Sequence, residues 1–181
     1  MTKIFRKNKI KKKAVFLDRD GTINFDKGYT YKFSTLKFRP YVINGLKYLT
    51  KNKYLLFIIT NQAGVAKGKF KLSDLLKFNK KLKYFLKKKK IIINEIEYCL
   101  YHPRGTIKIY RKKSDYRKPG NLMIKKLVKK WNVDINKSFM IGDKITDKQA
   151  AKKSKLYFEY VKENFFKQVK NIDLKKINNY L

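Results

Sequence analysis

Asp18 and Asp20 stand one residue apart at the end of the apolar run Val15-Phe16-Leu17, with Gly21 and Thr22 directly behind them. Two carboxylates in that setting make a poor core. They make a good cation site and a good place to attack phosphorus. A hard divalent ion such as magnesium takes oxygen ligands and keeps several waters. Asp18 and Asp143 are candidate carboxylate ligands, and the backbone carbonyl of Asp20 is a candidate third oxygen. The Asp18 carboxylate is suited to attack phosphorus and form an aspartyl-phosphate. The cation offsets the repulsion between that carboxylate and a phosphate dianion. Asp20 is close enough in sequence to serve the leaving oxygen as general acid and an incoming water as general base. The Thr60 hydroxyl and nearby backbone N–H groups are expected to hold phosphoryl oxygens, and Lys118 to stabilise charge on the transferring group.

These residues work only if the chain brings them to one rim. Residues 14–17 read as a first strand, followed by a polar, aromatic loop over about 24–39. Pro40 is expected to open a helix to about Asn52, with Val42, Ile43, Leu46 and Leu49 on one face. The near-continuous apolar run 54–59 suits a strand buried on both faces of a parallel sheet, and it ends in Thr60-Asn61-Gln62. Ser73 is the expected N-cap of a helix to about Lys90. A strand region follows within 91–100, then a loop over 102–118, an amphipathic helix over 122–131 and a strand over 138–141 ending in Gly142-Asp143. Thr146 is the expected cap of the next helix, and 156–181 holds one more strand and one or two helices. Strands alternating with helices predict an α/β fold with an open, Rossmann-like, doubly wound parallel sheet. In such a sheet the ligand crevice lies beyond the carboxyl ends of the strands. Asp18 with Asp20, Thr60 with Asn61, and Asp143 with Asp147 all fall there. Arg117-Lys118-Pro119-Gly120 opens a helix, whose N-terminus favours anions. Asp147 is open between a place near the cation and a helix cap.

The 181 residues read as a single domain, large enough to bury a core. Apolar residues at 43%, with 13 Phe and 13 Tyr, exclude a disordered chain. One cysteine, Cys99, excludes an internal disulfide framework. No apolar run is long enough to span a membrane, and Met1 to Lys13 lacks the features of a secretory signal, so a cytoplasmic protein is expected. The formal charge of +35 suggests a polyanion partner. The charge is mostly lysine spread along the chain, however, alongside abundant Asn, Ile, Phe and Tyr and scarce Arg. That pattern fits A/T-rich coding better than bidentate base or phosphate readout. No specific nucleic acid and no membrane partner is therefore expected, although the charge draws anionic substrates inward.

Four segments carry a family resemblance: Phe-Leu-Asp-Arg-Asp-Gly-Thr-Ile-Asn (16–24), Thr-Asn-Gln-Ala-Gly (60–64), Arg-Lys-Pro (117–119) and Ile-Gly-Asp-Lys-Ile-Thr-Asp (141–147). They resemble the four motifs of haloacid dehalogenase-superfamily phosphatases. More narrowly, residues 13–160 are similar to the D-glycero-D-manno-heptose 1,7-bisphosphate 7-phosphatases. The resemblance implies Asp18 as nucleophile, Asp20 as acid and base, and Mg²⁺ held by Asp18, Asp20 and Asp143. It implies that Thr60 and Lys118 hold the transferring phosphoryl group. Substrate contacts are implied at Asp26, Lys27, Gly28, Tyr29, Thr60, Asn61, Gln62, Ala63, Arg117, Lys118 and Lys144. The substrate is then a small phosphorylated sugar, and the product feeds nucleotide-activated heptose for lipopolysaccharide core. The gaps between motifs are too short for a large cap domain, so loops 24–39 and 100–117 act as partial covers of an open site on a monomer.

Relatives typically carry a structural zinc in the loop before the third motif, held by Cys-x-His and Cys-x-Cys. Here Cys99 remains, but Tyr101, Ser114 and Tyr116 replace the other three ligands. No structural zinc is expected, and packing by Tyr101, Tyr110 and Tyr116 is expected to hold the loop. Cys99 and His102 read as structural. Histidinol-phosphate phosphatases share nearly the same motifs and are one alternative. A nucleic-acid 3′-end phosphatase is a second, and a non-catalytic polyanion-binding protein a third.

Overall fold

The computed structural model describes residues 10–178, with side chains through 175. The apolar runs form five strands: β1 (Ala14–Leu17), β2 (Leu55–Asn61), β3 (Ile93–Cys99), β4 (Phe139–Gly142) and β5 (Tyr157–Tyr160). Among the described residues six α-helices accompany them: α1 (Val42–Lys51), α2 (Ala63–Ala66), α3 (Leu72–Lys88), α4 (Leu122–Trp131), α5 (Ile145–Lys153) and α6 (Phe165–Asn178). All neighbouring strands pair in parallel, in the order β3-β2-β1-β4-β5. The strand order reverses between β1 and β4, which is where a doubly wound sheet opens its crevice.

Successive side chains of a strand point to opposite faces, and each face has its own core. Val15, Leu17, Leu56, Ile58, Phe139 and Ile141 pack with α1, α3 and α6 residues such as Leu46, Phe78 and Val169. Ala14, Phe16, Phe57, Ile59 and Met140 pack with Met123, Ile124 and Leu127 of α4 and Ala150 and Ala151 of α5. Burial on both sides explains why these strands read as apolar runs rather than alternating ones.

Three helix starts differ from the sequence expectation. Ser73 does not cap α3; the Lys71 N–H donates to Asp74 Oδ2 at 3.0 Å. Thr146 does not cap α5; the Lys144 N–H donates to Asp147 Oδ2 at 2.9 Å. In both cases a carboxylate in the first turn reaches back to a free donor and faces the positive end of the helix dipole, which a hydroxyl does less well. Pro40 does not open α1, which starts at Val42 after Tyr41 takes a left-handed conformation at φ 58°. Among the described residues the C-terminal part holds one strand, β5, and one helix, α6; residues 179–181 lie outside them. Helix α6 lies so close to α1 that a Cβ on Gly45 would overlap the Phe165 ring. Asp173 of α6, 1% exposed, accepts hydrogen bonds from Tyr54 at 2.6 Å and Tyr48 at 2.9 Å.

Candidate active site

The site is built where β1, β2 and β4 end side by side. Asp18 follows β1, and its N–H donates to the Ile141 carbonyl of β4 at 3.1 Å, which ties it to the neighbouring strand. Gly21 then turns the chain at φ 92°, and a Cβ there would overlap the Asp143 carboxylate. Glycine is required at this point for both conformation and space.

Lys118, 3% exposed, is the centre of the cluster. Its Nζ lies 2.7 Å from Asp18 Oδ1 and 2.6 Å from Asp147 Oδ1, and donates to the Ile59 carbonyl at 2.9 Å. Asn61 fixes the Lys118 backbone from both sides: Oδ1 accepts its N–H at 3.1 Å, and Nδ2 donates to its carbonyl at 3.0 Å. Burial pushes the Asp18 carboxyl up to about 7, against the lowering pull of Lys118. Burial also raises Asp143. Burial alone would lower Lys118, but the carboxylates of Asp18 and Asp147 hold it above its ordinary value.

Asp18, Asp143 and Asp147 each present a carboxylate oxygen within 4.8 Å of the others. Asp143 Oδ1 is buried without a hydrogen-bond partner. A hard-oxygen donor set with an orphaned carboxylate oxygen fits a divalent cation such as magnesium. Asp147, open between two roles in the sequence, has both a cap contact through Oδ2 and a place in this cluster through Oδ1. Its spacing four residues beyond Asp143 was the signal for the second role. The Asp20 carboxylate is not part of this trio; it lines the cleft beside it and accepts hydrogen bonds from Arg19, Asn24 and Gln62.

A cleft of about 200 Å³ opens over the cluster. That is smaller than the roughly 300–1,000 Å³ of sites that engulf a drug-sized ligand, so it suits a phosphoryl group with the rest of an ester reaching outward. Asp26, Gly28, Tyr29, Thr60, Asn61, Gln62, Ala63, Lys118 and Lys144 all line it, whereas Lys27 and Arg117 do not. Across the mouth, Lys144 Nζ meets Asp26 Oδ2 at 3.0 Å. Burial raises Asp26, but this bond to Lys144 holds it below the usual carboxylate range overall. Arg117 lines an adjacent basic cavity of about 330 Å³ with Arg104, Lys113 and Lys153. Burial lowers its pKa, and its Nη1 has no hydrogen-bond partner.

The loop before the third motif is held partly as expected. Tyr101 and Tyr116 pack against the second core, and Tyr110 packs near Val65, Phe70 and Leu75. The sequence reading missed a polar clasp: the Tyr116 hydroxyl donates to Glu97, which pairs with Lys126 at 2.7 Å. Cys99 is buried, with its Sγ 3.9 Å from the Tyr101 carbonyl.

A family model described as polynucleotide kinase 3 phosphatase matches residues 13–175. The chain belongs to this family. The chain is 39% identical over 143 residues to the D-glycero-beta-D-manno-heptose-1,7-bisphosphate 7-phosphatase of Photorhabdus laumondii, covering 79% of this chain and 76% of that protein. It is 38% identical over 138 residues to the enzyme of the same name from Salmonella typhi, covering 76% and 73%. Among solved structures, a HAD-like phosphatase from Mesorhizobium loti superimposes with a TM-score of 0.82 at 24% identity, covering 91% of this chain and 87% of that one. The D,D-heptose 1,7-bisphosphate phosphatase of B. bronchiseptica, solved with magnesium and phosphate, gives 0.79 at 21% identity, covering 90% and 99%. At these identities the two structures speak for the fold, and the expected haloacid dehalogenase-like architecture is the one observed. No helix among the described residues is long and apolar enough to cross a membrane.

Proposed function

We propose that this single-domain chain is a magnesium-dependent phosphatase that removes the 7-phosphate of D-glycero-D-manno-heptose 1,7-bisphosphate. The observation that carries the reading is the convergence of Asp18 after β1, Asp143 after β4, Asp147 of α5 and Lys118, whose Nζ also reaches the Ile59 carbonyl of β2, under a cleft of phosphoryl size. Asp18 attacks phosphorus, the bond to the ester oxygen breaks, and Asp20 gives that oxygen a proton. Lys118 and the Thr60 hydroxyl hold the phosphoryl oxygens as charge builds. Asp20 then takes a proton from water as that water attacks phosphorus, and phosphate leaves Asp18. Asp18 and Asp143, with the backbone carbonyl of Asp20 and support from Asp147, would hold the magnesium ion, which supplies neutralising charge between carboxylate and phosphate. Asp26, Gly28, Tyr29 and Lys144 line the cleft, which supports their role as substrate contacts. Arg117 and Lys27 would reach only the outer part of a substrate. The chain acts as a monomer without a structural zinc, and its product is the input for nucleotide activation of the heptose.

Parallel kcat/KM measurements with magnesium on the heptose bisphosphate and on histidinol phosphate test this reading. The sugar bisphosphate is expected to be the much better substrate; a reversed preference contradicts the assignment. Zinc near one per chain in purified protein would contradict the metal-free loop. The family's description and the charge of +35 favour one second reading, a nucleic-acid 3′-end phosphatase. It requires oligonucleotide hydrolysis that falls steeply with salt; a flat response removes it.

A further inference from the structure

Gln62 and Arg19 converge on the carboxylate of Asp20. Gln62 is 4% exposed, and its Nε2 donates both to Asp20 Oδ2 at 2.9 Å and to Thr60 Oγ1 at 2.8 Å. The Gln62 backbone N–H is fixed on the Cys99 carbonyl at 2.8 Å. Asp20 Oδ2 already accepts from Arg19, so it is the amide nitrogen of Gln62, a donor, that faces it. Arg19 is fully buried and donates from Nε and Nη2 to Asp20, with Nη2 at 2.7 Å from Oδ2. The same Nη2 donates to the Thr30 carbonyl at 2.7 Å, and the guanidinium lies 4.4 Å from the Phe78 ring centre.

We propose that Gln62 and Arg19 are positioning residues that set the Asp20 carboxylate against the leaving oxygen. This rests on the proposed phosphatase mechanism. The planar guanidinium fork fixes the plane of the carboxylate, and the Gln62 amide fixes its distance from Thr60. A hydroxyl has one donor and two acceptor sites. The Gln62 N–H fills one acceptor of Thr60 and leaves the hydroxyl proton free to meet a phosphoryl oxygen. Arg19 also ties the acid to the loop at Thr30, one residue beyond the cleft-lining Tyr29. On this account Gln62 acts through Asp20 and Thr60 rather than by touching the sugar.

The test is leaving-group dependence. An aryl phosphate with an acidic phenol leaves without a proton, whereas a sugar phosphate needs one. The ratio of kcat/KM for the sugar phosphate to kcat/KM for p-nitrophenyl phosphate reports the acid through the step that forms the phospho-enzyme. Asp20→Asn calibrates the full loss, roughly 10²–10⁴-fold. Gln62→Met is expected to lower the ratio by about tenfold or more, with KM for the sugar phosphate little changed. Arg19→Lys, which keeps the charge without the fork, is expected to lower it too. If Arg19→Lys fails to fold, Gln62→Met alone decides. An unchanged ratio for Gln62→Met, or a rise in KM alone, overturns the proposal. If wild-type protein hydrolyses neither ester, or Asp20→Asn leaves the ratio intact, the phosphatase reading itself is at fault.

Discussion

Lys118→Met removes the one cation among the described residues within ion-pair distance of both Asp18 and Asp147, which are 5% and 1% exposed. The methionine keeps the length of the side chain. It leaves two buried carboxylates facing each other, with Asp143 nearby. Removing one partner of a buried ion pair costs about 3–5 kcal/mol. For a chain of this size each kcal/mol moves Tm by about 2–4 °C, so Tm in EDTA should fall by about 6–20 °C. Magnesium should then restore more stability to the variant than to the wild type, because the cation takes over the charge that the ammonium supplied. Loss of the charge facing the transferring group should also lower kcat by about 10²–10³-fold. Thermal unfolding followed by circular dichroism, with EDTA and with excess magnesium, reads both stability effects. A Tm in EDTA within about 2 °C of wild type, the effect of less than roughly 1 kcal/mol, would refute the argument. So would an equal response of both proteins to magnesium.

Gly21→Ala forces a Cβ against the Asp143 carboxylate at φ 92°. It should cost about 1–3 kcal/mol in backbone strain and weaken magnesium binding measured by titration calorimetry. Tyr54→Phe removes a hydroxyl bonded to buried Asp173, and should cost about 1.5–3 kcal/mol in urea unfolding. Burial and Asp173 push Tyr48 from its ordinary 10 up to about 12. The fold therefore favours the neutral phenol. That contribution is full below pH 10 and is lost as pH rises from 10 to 12, visible as a falling Tm in alkaline unfolding scans. Asp26→Asn breaks a solvent-exposed pair. Stability should change by less than about 1 kcal/mol, while KM for the sugar phosphate rises through the loss of a contact at the mouth.

The parallel sheet was legible because burial on both faces leaves an unbroken apolar signature, as in 54–59. The site was legible for the same reason, since polar residues that end such runs have to lie at one rim. Helix starts were less so. Ser73 and Thr146 are good caps in isolation, but Asp74 and Asp147 compete for the same donors with a charge that the helix dipole favours. The roles of neighbouring polar residues were hardest to separate. Asn61 and Gln62 line the cleft as expected, yet their amides bind Lys118 and Asp20. Only tertiary contacts reveal which of two polar groups is already occupied. The Glu97–Tyr116–Lys126 clasp joins residues far apart in sequence and had no local signal.

In the proposed reaction, phosphorus passes through Asp18 before it reaches water. The stereochemical course at phosphorus tests it, using a phosphorothioate ester made chiral with oxygen isotopes and hydrolysed in ordinary water. Two successive in-line displacements predict retention of configuration. Inversion would mean that water attacks the ester directly and that Asp18 is not the nucleophile.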